Sequence, residues 1–167
     1  MGCFKLNVDG SRSSNGLIGA GGVIRNSNGE WISGFMVNIG TGEVLQAEAW
    51  GLFHGLQLAI ALHINKLDVD SDSANLVTLL NSENVDLHPL GTVLLNCKML
   101  MSQFDILNLK HIHREGNVVA DILAKESVQH ASGICTYQSP PSLVVEALLD
   151  DILGVSRPRQ VCKSHLG

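Results

Sequence analysis

A chain of 167 residues is long enough to bury one stable core without help from disulfides or a structural metal. With 45% hydrophobic and 16% charged residues it is neither a disordered nor a membrane-like composition. The formal net charge of −5 excludes a protein drawn onto nucleic acid by a large positive field of its own.

From Met1 to Asp9 there is neither an apolar run after a basic start nor an Arg-rich leader, so the expected location is intracellular, in nucleus or cytoplasm, and not secreted. Phe4 to Asp9 alternates apolar and polar residues and predicts a strand that stops at Gly10, with a Ser/Asn/Gly-rich loop to Gly16. Gly19 to Arg25 and Glu30 to Asn38 read as two further strands joined by a turn at Asn26-Ser27-Asn28-Gly29, which completes an antiparallel meander.

The period then becomes helical from Glu43 to about His63, with Leu52, Gly55, Leu56 and Ala59 on one face. Glu48, His54, Gln57 and His63 interrupt this most apolar stretch, which makes it a buried helix and not a membrane span. Lys66 to Asp70 is a short strand, and Asp72-Ser73 opens a helix to about Ser82. Pro89 is placed to start another helix through Leu94, Leu95 and Met99, and 105–112 alternates as a strand. After the break at Arg114-Glu115-Gly116, Asn117 is a plausible cap for a helix from Val118 to about His130. The order β-β-β-α-β-α-α-β-α follows, as one α/β domain over 1–131 and a C-terminal extension over 132–167. The extension holds Pro140-Pro141, a helix candidate at Leu143 to Leu149, and Arg157-Pro158-Arg159. Cys3, Cys97, Cys135 and Cys162 show no C-x-x-C spacing, so a zinc site is not indicated and reduced thiols are expected.

Glu48 is the physically odd residue. It lies four, seven, eight and eleven positions before Leu52, Gly55, Leu56 and Ala59, so it shares their inward face, where an ionised carboxylate needs a counter-charge or a raised pKa. Asp9 and Asp72 each stand just beyond the C-terminal end of a predicted strand, where open α/β sheets place their sites. Lys and Arg are sparse around all three, which leaves a divalent metal as the simplest counter-charge. Hard oxygen ligands suit Mg²⁺, with Mn²⁺ as a substitute, and two ions roughly 3.5–4 Å apart can stabilise an in-line phosphoryl displacement. His111 and His113 share a strand face, a spacing that alternation supplies freely, and Trp31, Trp50 and Phe53 fit packing better than base stacking.

The order Val8-Asp9-Gly10-Ser11, Ala47-Glu48-Ala49, Ser71-Asp72-Ser73 and Asn117-Val118-Val119-Ala120-Asp121 resembles the type 1 ribonuclease H family. Gly19-Ala20-Gly21-Gly22-Val23-Ile24-Arg25, Asn28-Gly29-Glu30-Trp31 and His113-Arg114-Glu115-Gly116-Asn117 narrow the likeness to the plant ribonuclease H domains associated with retrotransposons. The resemblance implies a ribonuclease H-like fold with a mixed five-stranded sheet, three antiparallel strands then two parallel, flanked by helices. It also implies an endonuclease that hydrolyses the RNA strand of an RNA/DNA hybrid with two Mg²⁺ ions.

Carried over by position, Asp9 bridges both ions, Glu48 and Asp72 complete one site and Asp121 the other, and His113 or Arg114 assists product release. Gly10, Ser11, Asn15 and Asn117 fall at substrate-contacting positions, their amide and backbone groups suited to 2′-hydroxyls. One departure stands out: Val44 occupies a position where many members carry an Asn that contacts RNA. With the acidic net charge it keeps open a second expectation, a retroelement-derived domain that binds nucleic acid with little or no turnover. No protein partner is evident, and a monomer is expected.

Overall fold

The computed structural model describes residues 3–154, so Arg157-Pro158-Arg159 and Cys162 lie outside the described residues. Strands β1 (Phe4–Arg12), β2 (Leu17–Arg25) and β3 (Trp31–Thr41) form the expected antiparallel meander. Between β2 and β3 the side chain of Asn26 accepts the N–H groups of Asn28 and Glu30, and Gly29 takes the positive φ of 80° that closes the turn. Helix α1 (Val44–Ala61) then leads to β4 (Lys66–Ser71), α2 (Ala74–Leu80), α3 (Gly91–Met101), β5 (Ile106–His111), α4 (Val118–Ser127), β6 (Gly133–Tyr137) and α5 (Ser142–Leu153).

The sheet order is β5-β4-β1-β2-β3-β6, with β1, β4 and β5 mutually parallel. It therefore has six strands where five are expected from the sequence. The sixth comes from the C-terminal extension: β6 pairs antiparallel with β3 from Gly34↔Tyr137 to Asn38↔Gly133. All but the last of its residues are exposed, so no buried face imprints a two-residue alternation on the sequence.

Several boundaries also move. Strand β1 continues past Gly10 to Arg12, because the polar residues Gly10, Ser11 and Arg12 pair with Ala20, Gly19 and Ile18 in a backbone ladder indifferent to hydropathy. Helix α3 begins at Gly91 and not at Pro89, and α4 ends at Ser127. Ser73 does cap α2, its hydroxyl accepting the Leu76 N–H at 3.2 Å.

Two apolar layers sandwich the sheet. On one face Leu6, Val8, Ala20, Ile24 and Phe35 meet Leu52, Leu56 and Ala59 of α1 and Leu94 and Cys97 of α3. On the other, Val23 and Met36 meet Val119 and Leu123 of α4 and Val144, Ala147 and Leu148 of α5. Each fully buried Leu contributes about 1.5–3 kcal/mol to holding a helix on its face. Two glycines set how near the helices come. A Cβ on Gly10 would lie 2.7 Å from the Glu48 backbone nitrogen of α1, and one on Gly21, the partner of Asp9 across the ladder, 2.6 Å from the Ala124 nitrogen of α4.

Candidate active site

The parallel register of β1 and β4 ends at Val8↔Ser71, so Asp9 and Asp72 each stand one residue beyond it, side by side at the same end of the sheet. The close approach of α1 over Gly10 delivers Glu48 from above. Ligand oxygens of Asp9, Glu48 and Asp72 lie within 4.8 Å of one another. Asp121, in the first turn of α4, lines the same cleft, and its Oδ2 is held at 3.0 Å by Lys125 Nζ one helical turn on. All four predicted acids thus line one open cleft of about 530 Å³, three as a compact group and Asp121 beside them in an ion pair.

Asp9 is 4% exposed and Glu48 5% exposed. Burial, and then the negative charges of Glu48 and Asp72, push the Asp9 carboxyl far above the usual carboxylate range, so that it keeps its proton and shares it with Glu48. Burial likewise raises Glu48, partly offset by the hydrogen bond from Asp9. Glu48 Oε2 is buried with no hydrogen-bond partner. An orphaned buried carboxylate oxygen within a group of three acids is the donor set a hard divalent ion fits.

A pH dependence follows. The folded state holds protons that the unfolded chain releases at ordinary carboxylate pKa values, so these groups make the metal-free protein less stable as pH rises from that range through neutrality. An added divalent ion replaces the protons and relieves the cost. The rise in Tm given by Mg²⁺ is therefore expected to be small at about pH 5 and to widen steadily to about pH 8.5. Thermal melts with and without Mg²⁺ check this, and a gap independent of pH would contradict it.

The remaining predicted residues separate. Gly10 and Ser11 line the cleft, and the Gly10 N–H donates to Asp9 Oδ1 at 2.9 Å. His113 and Arg114 stand exposed on its opposite wall, in a loop that turns between β5 and α4. Asn15 is exposed in the β1–β2 turn, outside the cleft lining, with its Oδ1 accepting from the Ser13 hydroxyl and the Leu17 N–H. Asn117 is a correction. It is fully buried, its Oδ1 accepts from Asn7 and its Nδ2 donates to the Val8 carbonyl at 2.8 Å. Asn117 stands at the N-cap position of α4 as expected, but its side chain makes no capping bond, and with its amide committed inside the protein it does not present itself to a substrate.

Sequence reasoning passed over Arg12 and Lys125, which also line the cleft, as does His111, whose spacing with His113 was set down to strand alternation. Lys125 was findable, since an acid followed by Lys four residues later on a helix is a standard ion-pair spacing. Arg12 ties its Nε to the Gly42 carbonyl at 2.8 Å, bracing the entry to α1. With Arg114 these residues give the cleft mouth a basic rim that the net charge of −5 conceals. Trp50 and Phe53 stack edge-to-face at 5.3 Å against the core and take no part in the cleft.

A family model described as reverse transcriptase-like matches residues 7–127. A curated Arabidopsis thaliana protein named "Putative ribonuclease H protein" is 35% identical over 162 residues, covering 96% of this chain and 26% of that protein. The chain thus spans about a quarter of the length of that relative. Among solved structures, the N-terminal ribonuclease H domain of a Mycobacterium tuberculosis protein aligns with a TM-score of 0.71 and 26% identity, over 77% of this chain and 95% of that one. A ribonuclease H1 isolated from compost, solved in complex with an RNA/DNA hybrid, has the same fold at a TM-score of 0.67 and 23% identity, over 75% of this chain and 96% of that one.

Proposed function

The chain belongs to the reverse transcriptase-like family of ribonuclease H domains, and from that membership we propose that it hydrolyses the RNA strand of RNA/DNA hybrids with the help of divalent metal ions. The observation that carries the reading is the group of buried Asp9 and Glu48 with half-buried Asp72, and an orphaned Glu48 oxygen, in a basic-rimmed cleft. Such an arrangement destabilises the metal-free protein and has its use in binding a cation.

In this reading Asp9, Glu48 and Asp72 would hold one ion, and Asp9 and Asp121 would hold a second. Mg²⁺ or Mn²⁺ bound there supplies Lewis-acid stabilisation of the phosphoryl oxygens and acidifies the attacking water. The protein's own groups do the rest. The Gly10 N–H holds the Asp9 carboxyl in one orientation, and the basic rim of Arg12, Arg114 and Lys125 draws the phosphate backbone in. His113 or Arg114, exposed on the wall, is placed to assist departure of the cut strand.

The test is incubation of the protein with Mg²⁺ and an end-labelled hybrid or a DNA duplex of the same sequence. RNA cleavage confined to the hybrid and stopped by chelation is expected. A hybrid left intact and unbound would overturn the reading, whereas tight binding without cutting would favour the second one, a binding domain of little turnover.

Val44 favours that second reading enough to merit its own prediction. It lies 46% exposed on the cleft wall, an apolar group where a hydrogen bond to the sugar could be made. Val44→Asn is expected to lower the KM for hybrid about three- to tenfold, the worth of one such bond, with kcat little changed. Steady-state kinetics check this, and an unchanged KM would remove position 44 from the substrate contacts.

A further inference from the structure

Behind the cleft, a buried chain of polar groups runs from the C-terminal helix to the catalytic end of the sheet. Arg25, on β2, is 9% exposed, and its Nη1 pairs with Asp151 Oδ2 of α5 at 2.9 Å. Its Nη2 donates to Asn7 Oδ1 at 3.4 Å, Asn7 Nδ2 donates to Asn117 Oδ1 at 3.0 Å, and Asn117 Nδ2 donates to the Val8 carbonyl at 2.8 Å. Asn7 and Asn117 are 1% and 0% exposed, so a mismatched partner leaves a buried polar atom unpaired.

The direction of this chain is dictated from one end. A guanidinium can only donate, so Asn7 must turn its oxygen to Arg25 and its nitrogen to Asn117. Asn117 must then accept with its oxygen and donate onward with its nitrogen. The last acceptor, Val8, is the residue before Asp9, and Asn117 opens α4, its carbonyl accepting the Asp121 N–H at 3.0 Å. The chain therefore ties the strand that carries Asp9 to the helix that carries Asp121. Its outer end depends on Asp151, which holds the otherwise costly buried guanidinium in place.

We propose that Asp151, through Arg25, Asn7 and Asn117, is a positioning residue that holds Asp9 and Asp121 at the spacing the metal ions require. This assigns α5, part of the C-terminal extension, a role in the activity. The inference rests on the proposed metal-dependent function and deepens it.

The test uses the full chain and reads Mn²⁺ affinity by calorimetry alongside hybrid cleavage. Asp151→Asn loosens the Arg25 anchor, and Asn7→Asp turns an acceptor toward Asn117, forcing the mismatch onward to the Val8 carbonyl. Each is expected to weaken Mn²⁺ binding about tenfold, as loss of a supporting hydrogen bond behind a ligand does, and to lower kcat with the hybrid KM unchanged. Asp151→Glu, which keeps the charge, is expected to recover most of both. Variants that fold, lose some Tm and yet bind Mn²⁺ as the unmodified protein does would reduce the chain to a structural brace and overturn the proposal. If the two single variants do not fold, Asp151→Glu combined with Arg25→Lys, which keeps the ion pair but loses the fork, serves instead, with the same two outcomes. An unmodified protein that binds no Mn²⁺ would sink the metal-dependent function itself, a result distinct from either.

Discussion

Asp9→Asn is expected to abolish hybrid cleavage while making the metal-free protein more stable. Asp9 is buried and offers an oxygen within 4.8 Å of those of Glu48 and Asp72, so under the proposed function its loss removes a ligand from the centre of the site. A fall in kcat of at least about 10³-fold, or ~4 kcal/mol of transition-state stabilisation, is expected. The same substitution removes a buried carboxyl from the company of Glu48 and Asp72, whose charges oppose its ionisation. The amide keeps the shape and can donate to Glu48, so a gain of about 0.5–2 kcal/mol at neutral pH is expected in the absence of metal. Single-turnover cleavage and thermal melts on the same sample measure both. Loss of activity with loss of stability would mean that Asp9 serves the fold, and retained activity would remove it from the site.

Gly10→Ala is expected to damage fold and site together. The added Cβ would sit 2.7 Å from the Glu48 nitrogen and 2.9 Å from the Ala47 carbonyl carbon, both backbone atoms of a helix that cannot yield locally. Relief requires α1 to lift from β1, at about 1–3 kcal/mol of overpacking strain, a Tm loss of several degrees in a domain of this size. Because Glu48 rides on that helix, a displacement of about 1 Å is enough to cost on the order of 10²-fold in cleavage. Melting and kinetic measurements on the variant check the pair of effects. Unmodified Tm and rate would show that the helix is not seated on Gly10 as the structure describes.

Sequence and structure agree where a physical period was present to read. The inward face of α1 recurs through Leu52, Gly55, Leu56 and Ala59, all buried, and it carried Glu48 inward with them. Asp9 and Asp72 were legible because each follows an alternating strand segment, and although β1 runs on past Asp9 to Arg12, its pairing with β4 ends just before both acids and brings them level. What escaped lacks such a period. Strand β6 is an edge strand with almost no buried side chain, held by backbone pairing to β3 that no side-chain pattern announces. Asn117 was read as a helix cap from its place before an apolar helix, a position it does hold, and as a substrate contact from the family resemblance, which its buried side chain does not allow. Its role as an internal link depends on Asn7, 110 positions earlier, a long-range partnership invisible to local spacing. The basic rim was hidden for a similar reason: Arg12, Arg114 and Lys125 come from three distant segments and only the fold assembles them.

The proposed function makes one central statement, that the clustered acids hold divalent ions used to cut RNA paired with DNA. The most direct test is the single-turnover rate of RNA-strand cleavage in a hybrid as Mg²⁺ is raised from none. A rate of zero without metal, rising to saturation and ending in discrete RNA fragments while the DNA strand stays whole, is the predicted result. A rate that is absent at every Mg²⁺ and Mn²⁺ concentration, or one that persists under chelation, would contradict it.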